Sequence, residues 1–496
     1  MNPIDAIVRI VSPSWALKRA NARQILAAYE AAKKSRTRRG VTDNRSGDAL
    51  VKEAGESLRG QARYLEQNHD LARGVLNTLV NCVVGPRGIG IEPQPCNRSG
   101  EINKDFAEEL SWYFKQWSKF PETTHEMSWA KAQRMVARAW FRDGEVLSKA
   151  IEGVTPTLDH KTKVPFSLEL LEADHIADIN RPEERITQGV ERTAWGSVRY
   201  YHLYDEHPGD VMYKNSLAVR RVNASIVNHV KMCDRLRQAR GVSVFASVMN
   251  RLNDLKDYEE SERIAAKIGA SMAAYIRKGS PDSFVSTDEG ANGERIFEFS
   301  AGMIWDNLLP GEDVGTIQSN RPSILLEPFR NAMLRAIASG TSSGYSSISK
   351  NYDGTYSAQR QELVEQWVNY AVLSDEFIQM FVEPVWRRFV RMAMASGIVQ
   401  PPPGIDMDTI FDADFRTPSM PWIDPQKEAN GFEKLLSLKI TSPQKIIRQR
   451  GDDPTDVLDQ WEKWQEEIDS RRLNITETGG PANAGLSNSE GDENAE

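Results

Sequence analysis

The sequence predicts an α+β chain built on long helices, and three observations predict it. Residues 241–279 read GVSVFASVMNRLNDLKDYEESERIAAKIGASMAAYIRKG, with Val244, Val248, Leu252, Leu255, Ile264, Ile268, Met272 and Ile276 at three- and four-residue steps. That is one apolar stripe along a helix, with Ser243 available as N-cap and Gly279 as the stop. Between 144 and 230, short apolar runs alternate with turn residues, as strands do. Residues 356–396 carry a further long helical pattern, with Pro384 placed to kink it. At the helical rise the first stripe would run roughly 50 Å. A narrow stripe of that length suits helices packed side by side, within the chain or between copies of it, as well as one long core helix.

Composition narrows the classes. A chain of 496 residues has room for two or three domains with sizeable cores. Its net charge of −8 is not that of a protein that coats duplex DNA with a basic surface. Cys82, Cys96 and Cys233 have neither C-x-x-C nor zinc-ligand spacing, which predicts reduced, mostly buried thiols. Met1 to Pro13 lacks a basic stretch followed by a long apolar core, so no secretory leader is expected. No apolar run approaches the length of about eighteen residues that a membrane span requires.

Taken in order, residues 14–40 hold Lys18, Arg19, Arg23, Lys33, Lys34, Arg36, Arg38 and Arg39 against Glu30. Such an arm, assigned to residues 1–55, suits contact with nucleic acid or an acidic protein, or simply a solvated helix and tail. Leu58 to Val84 reads as helix closing at Gly85, and Gly88 to Gln94 as a strand. The glycines there do not make a dinucleotide loop, because Pro93 stands at the last position of G-x-G-x-x-G, and no phosphate-loop motif occurs in the chain. No nucleotide, metal or other cofactor is expected. Helical segments over 103–141 carry Trp112, Trp117, Trp129 and Trp140, read as core and not as a base-stacking platform. Strand-like runs follow at 144–151, 167–171, 197–204 and 225–230. His125, His160, His175, His202, His207 and His229 lack metal-binding spacing, so they read as surface or hydrogen-bonded histidines.

Past the first rod, residues 280–320 turn to short strand-like pieces such as Arg295 to Phe299. Asp282, Asp288, Glu289, Glu294, Glu298, Asp306, Glu312 and Asp313 face the single base Arg295. A second rod has Leu325, Phe329, Met333 and Ile337 at steps of four, ending at Gly340. The polar loop from Ser342 to Thr355 comes next. Its start, Gly340 to Gly344, satisfies G-x-S-x-G, the serine-hydrolase elbow with Ser342 as nucleophile. That elbow must follow a strand, whereas this one follows a helix, and no histidine lies after His229. Beyond Pro401 to Pro403, residues 411–422 read as an extended return segment. Three helices then start at Asp424-Pro425, Ser442-Pro443 and Asp453-Pro454, each a capping residue before proline. Residues 432–450 imitate a helix-turn-helix DNA reader, but the second, would-be recognition helix carries only Lys445, Arg448 and Arg450 as bases, and the next residues are acidic. The Gly-, Asn-, Ser- and Glu-rich tail is expected to be disordered.

The order rod, small insertion, rod, loop and kinked helix resembles the lambda-type phage portal proteins. The residues that carry the resemblance are Gly241 to Phe245, Leu309 to Asp313, the Leu325 to Gly340 helix ending Arg335-Ala-Ile-Ala-Ser-Gly340, and Tyr356 to Arg360, with Gly85 to Gly88 in support. The resemblance spans roughly Arg59 to Ser470. It implies a portal fold: a mixed α/β wing (56–240 and 356–423), stem helices (241–279 and 321–340), an acidic clip (280–320), a tunnel loop (341–355), a helical crown (424–472) and a tail (473–496). It implies a non-enzymatic ring, of twelve copies by analogy, at one capsid vertex, present in the virion and in the host cytoplasm during assembly. Its implied partners are the terminase large subunit, a head-completion or adaptor protein, the major capsid and scaffolding proteins, and double-stranded DNA bound without sequence preference. In that scheme Ser342, Ser343, Tyr345, Ser346, Lys350 and Asn351 belong to the loop facing the channel. Asp282, Asp288, Glu289, Glu294 and Glu298 belong to the docking surface of the clip, where negative charge steers a basic partner.

Overall fold

The computed structural model describes residues 12, 14, 15, 18, 43–210, 218–270, 274–278, 312–316, 325–421 and 424–471, with backbone alone for 268–270, 274–278 and 312–316. The architecture is mixed α+β. Helices α1 (Gly47–Asn68) and α2 (Asp70–Val83) break at His69, and strand β1 (Gly90–Pro93) follows. The sequence pattern started this helix at Leu58. It starts earlier because the Ser46 hydroxyl accepts from the Ala49 amide, an N-cap that precedes the apolar periodicity.

Helices α3 (Lys104–Trp117) and α4 (Trp129–Asp143) lead into β2 (Glu145–Glu152), β3 (Phe166–Glu172) and, later, β8 (Val227–Lys231), which form an antiparallel sheet ordered β3-β2-β8. The intervening chain makes a second sheet, the antiparallel meander β4 (Ile186–Thr187), β5 (Val190–Arg192), β6 (Val198–Tyr204) and β7 (Val219–Asn223). Its first two strands are too short to leave an alternation in the sequence.

The predicted 39-residue rod is corrected to a turn, a helix and a strand. Residues 243–248 coil through short-range bonds such as Val248 N to Phe245 O at 2.9 Å, which bury Phe245 and Val248 in the core. Helix α5 is Met249–Ala270, about 33 Å at the helical rise. Residues 274–278 then form β9 (Ala274–Lys278), antiparallel to β10 (Glu312–Thr316) with Ile276 opposite Val314. Tyr275 and Ile276 favour the pleated conformation, and their cross-strand partners decide against helix. Helix α6 (Leu326–Gly340) runs back antiparallel to α5, because Ser247 donates to the Gly340 carbonyl at one end and Arg330 pairs with Glu259 at 2.6 Å further along.

After a short helix α7 (Tyr345–Ser349), the long helix comes in three parts: α8 (Tyr356–Phe377), a π-helical turn (Ile378–Val382) and α9 (Glu383–Ala395). Pro384 supplies no amide to the carbonyl one turn before it, and the wider turn absorbs that loss. This segment closes the core opened by α3 and α4. Phe381 lies 5.3 Å from Trp129 and Trp386 lies 5.4 Å from Phe114, ring centre to ring centre. Trp117, Trp129 and Trp140 are buried as expected, but Trp112 is exposed, on the outer face of α3. Strand β11 (Ala413–Arg416) pairs with β1, placing Gly90 opposite Arg416. Helices α10 (Pro425–Ser437), α11 (Pro443–Gln449) and α12 (Pro454–Ser470) begin at the three expected caps, with the side chains of Asp424, Ser442 and Asp453 accepting from backbone amides. The thiols are free, but Cys82 and Cys96 are half-buried and Cys233 is exposed on the loop after β8, which corrects the expectation of mostly buried cysteines. The basic arm 14–40, apart from residues 14, 15 and 18, and the tail fall outside the described residues.

Candidate functional site

Three features converge where the helical pair meets the sheet: a buried ion-pair centre, the pair itself and the loop that follows it. The centre is Glu145, whose side chain is fully buried at the start of β2. Arg240 Nε donates to Glu145 Oε1 at 2.7 Å, while the Gly241 amide and His229 Nε2 both lie 2.9 Å from Oε2. Burial alone would raise this carboxyl, but Arg240, His229 and the Gly241 amide outweigh it and hold the pKa at about 2. The chain therefore enters α5 through a charged anchor. Beside it, Gly144 at φ 84° and Gly241 pack backbone against backbone, so a side chain on either would meet the other strand's main chain.

His229, His175 and His202 are all held below their ordinary 6.5, in each case first by burial, which disfavours the charged imidazolium. Each loses stability for the native state as pH falls below 6.5, because the unfolded chain takes up the proton first; Glu145 adds to the loss below its ordinary 4.5. Thermal melts across pH are expected to show a plateau above pH 7, a decline starting at about pH 6.5 and a steeper one below about 4.5. A melting temperature unchanged from pH 7 to 4 would contradict this.

Along the pair, Tyr258 meets Phe329 edge-on at 4.9 Å, and Leu252, Leu255, Leu334 and Ile337 sink the near ends into the core. Toward the far ends, Ile264, Leu325 and Phe329 are exposed. Antiparallel β9 and β10 lie between the two helices in the chain. Of the acidic residues predicted for docking, Asp282, Asp288, Glu289, Glu294 and Glu298 lie outside the described residues.

The loop after α6 is docked against α8. Ser342 has φ 52° because it is the left-handed residue that ends α6, with Ser343 N donating to Ala338 O at 3.1 Å. That cap explains the backbone that a hydrolase elbow would otherwise claim. Ser343 is buried, its hydroxyl donating to Thr341 O at 3.3 Å. Gly344 N lies 3.4 Å from the Tyr370 hydroxyl, Ser346 N donates to Glu362 at 3.0 Å, and Gln366 donates to the Ser342 carbonyl. Tyr345 and Ser346 are half-buried, as is Asn351, which accepts from the Asp353 amide at 2.8 Å. Ser342 and Lys350 are exposed, Lys350 capping α7 at φ 56°. The loop residues thus divide between solvent and the α8 face. The Tyr370, Glu362 and Gln366 contacts leave no mark in the sequence pattern, because they come from a helix that starts only after the loop.

One further cluster has the composition of a metal site: Glu172, Asp174 and His207 bring ligand atoms within 4.8 Å of one another. Guanidinium already fills it. Arg63 Nη2 sits 2.5 Å from Asp174 and 3.3 Å from Glu172, and Arg59 Nε lies 3.5 Å from Asp174. Two fixed cations at these oxygens make it an ion-pair node between α1 and β3.

A family model described as phage portal protein, lambda family, matches residues 33–373. The chain belongs to the lambda family of phage portal proteins. A relative named as a probable portal protein of Halomonas phage phiHAP-1 is 25% identical over 430 residues, covering 84% of this chain and 81% of the relative. Portal protein B of Escherichia phage lambda is 23% identical over 302 residues, 53% of this chain and 55% of its own. Among solved structures, a chain from the neck of a native gene transfer agent particle is similar over 84% of this chain and 96% of its own, with a TM-score of 0.41 at 11% identity. Portal proteins are structural components, so this portal-family chain is not an enzyme, and the G-x-S-x-G at Ser342 is a helix end. No helix among the described residues is long and apolar enough to cross a membrane.

Proposed function

We propose that copies of this chain, twelve by analogy with the family, close a ring at one capsid vertex and conduct double-stranded DNA during packaging and ejection. The observation that carries this reading is the antiparallel pair α5 and α6. Its near ends are buried and its far flank exposes Ile264, Leu325 and Phe329, as suits helices packed between neighbours about a shared axis. In that arrangement residues 280–320, between the two helices, are the clip. Its acidic residues, Asp282, Asp288, Glu289, Glu294 and Glu298 among them, dock the terminase large subunit and later a head-completion or adaptor protein. The wing contacts the major capsid and scaffolding proteins. Assembly takes place in the host cytoplasm, and the ring remains in the virion.

The loop from 341 to 355 is the tunnel loop of this scheme. Lys350 would repeat around the bore as a sequence-independent phosphate contact, with Ser342 beside it. Tyr345, Ser346 and Asn351, half-buried against their own subunit, and the buried Ser343 would shape the loop. ATP hydrolysis belongs to the terminase, since no nucleotide motif occurs in the chain. Negative-stain microscopy of the purified protein is expected to show rings with a central hole. Particles that remain monomeric at every concentration would overturn the reading.

A further inference from the structure

The last helices carry two uncovered surfaces of opposite charge. Among the described residues, helix α12 is tied to the body by ion pairs near its start, where Asp452, Asp453 and Asp456 pair with Arg87, Arg416 and Lys115 at 3.0–3.5 Å. From Leu458 to Ser470 every residue is exposed except the half-buried Ile468. On this length Leu458, Trp461 and Trp464 recur at three-residue steps, the two tryptophans 65% and 52% exposed. Around them stand six acids against the single base Lys463 in residues 454–470. A helix of this length is marginal in water unless one face is packed, and exposed tryptophans mark where packing belongs.

The second surface is the end of α10 and the turn into α11. Leu438 and Ile440 are 67% and 68% exposed there. Residues 431–450 hold five bases against the single acid Glu433, and Lys434, Lys439 and Lys445 are exposed. Within the folded chain α12 covers neither itself nor this patch, since both stay open. Two copies of α12 facing each other would set acid against acid, which excludes a symmetric contact. A head-to-tail contact, in which one patch meets a different patch on the next copy, is the kind that closes rings.

We propose that the acidic, tryptophan-bearing face of α12 in one copy docks on the basic, apolar α10–α11 turn of its neighbour. The inference rests on the ring reading and assigns it a second contact, separate from the α5–α6 pair. With Trp461 and Trp464 seated against Leu438 and Ile440, Glu462 and Asp469, which flank the tryptophan face seven residues apart, are set toward Lys434 and Lys439.

The test uses the full-length protein, with assembly followed by mass photometry through a dilution series. Lys434→Glu with Lys439→Glu, and separately Glu462→Lys with Asp469→Lys, are each expected to raise the concentration at which rings fall apart by about tenfold or more. The chain carrying all four changes is expected to recover, because every contact in its ring is then reversed on both sides. Trp461→Ala with Trp464→Ala is expected to weaken rings without such rescue. Rings that form equally well in every variant, or four-way reversal without recovery, overturn this contact and leave the ring reading intact. Wild-type protein that forms no rings overturns both. Weakening that appears only when DNA or a scaffolding protein is added assigns the patches to those partners and overturns the contact between copies.

Discussion

Glu145→Gln is expected to destabilise the protein by about 3–5 kcal/mol, the range for stranding one partner of a buried ion pair. The substitution keeps the shape but removes the charge that Arg240 and the Gly241 amide share. Among the described residues Arg240 keeps carbonyl partners, Ala173 O at 2.8 Å and Gln188 O at 3.5 Å. These orient a guanidinium but do not neutralise it. Combining Glu145→Gln with Arg240→Met should therefore cost less than Glu145→Gln alone, because no charge is left stranded. Urea unfolding of the three variants at one protein concentration measures this. A double variant as unstable as the sum of its parts would show that the two side chains act independently.

Phe381→Ala is expected to cost about 3–5 kcal/mol, as large-to-small changes at fully buried aromatic positions do. Phe381 sits in the π-helical turn with its ring between those of Trp129 and Phe377, at 5.3 and 5.4 Å. It joins the segment after residue 356 to helix α4, so the cavity opens at the seam between early and late parts of the chain. Val368→Ala, on the exposed face of α8, is the control and should fall within about 0.5 kcal/mol in the dissociated protein. Tryptophan fluorescence during urea unfolding separates the two. Equal effects would mean that the seam carries no more stability than the surface does.

How much of this was legible in the sequence follows from what each signal depends on. The caps at Asp424, Ser442 and Asp453 were legible because capping is local: a short polar side chain before proline serves its own helix start. Helix α6 was legible because the four-residue steps of Leu325, Phe329, Met333 and Ile337 are equally local. The end of α5 was not. Met272 and Ile276 keep the helical step, and only the pairing of residues 274–278 with 312–316 makes that stretch a strand. Three- and four-residue apolar steps cannot register a partner that arrives some forty residues later.

The site divides along the same line. The exposure of Lys350 follows from a polar loop, whereas the burial of Ser343 follows from Gln366 and Tyr370 holding the loop to α8. Glu145 carried no signal, being one acid at a strand start. Its role depends on Arg240 and His229, which approach it only once the sheet has formed. Gly144 was read as the start of a strand and Gly241 as the start of the rod, and neither pattern registers their mutual contact.

The pairing of β1 with β11 sets an order of events at the ribosome. Gly90 waits for Arg416, more than 300 residues later, before its strand has a neighbour. At translation rates of about 5–20 residues per second that delay is on the order of tens of seconds. For most of that time, until residues 377–389 emerge, the buried tryptophans of α3 and α4 have no lid. A polypeptide cut short before residue 413 leaves β1 with no strand to pair with, so the two ends of this seam exist together only in a chain translated nearly to its end.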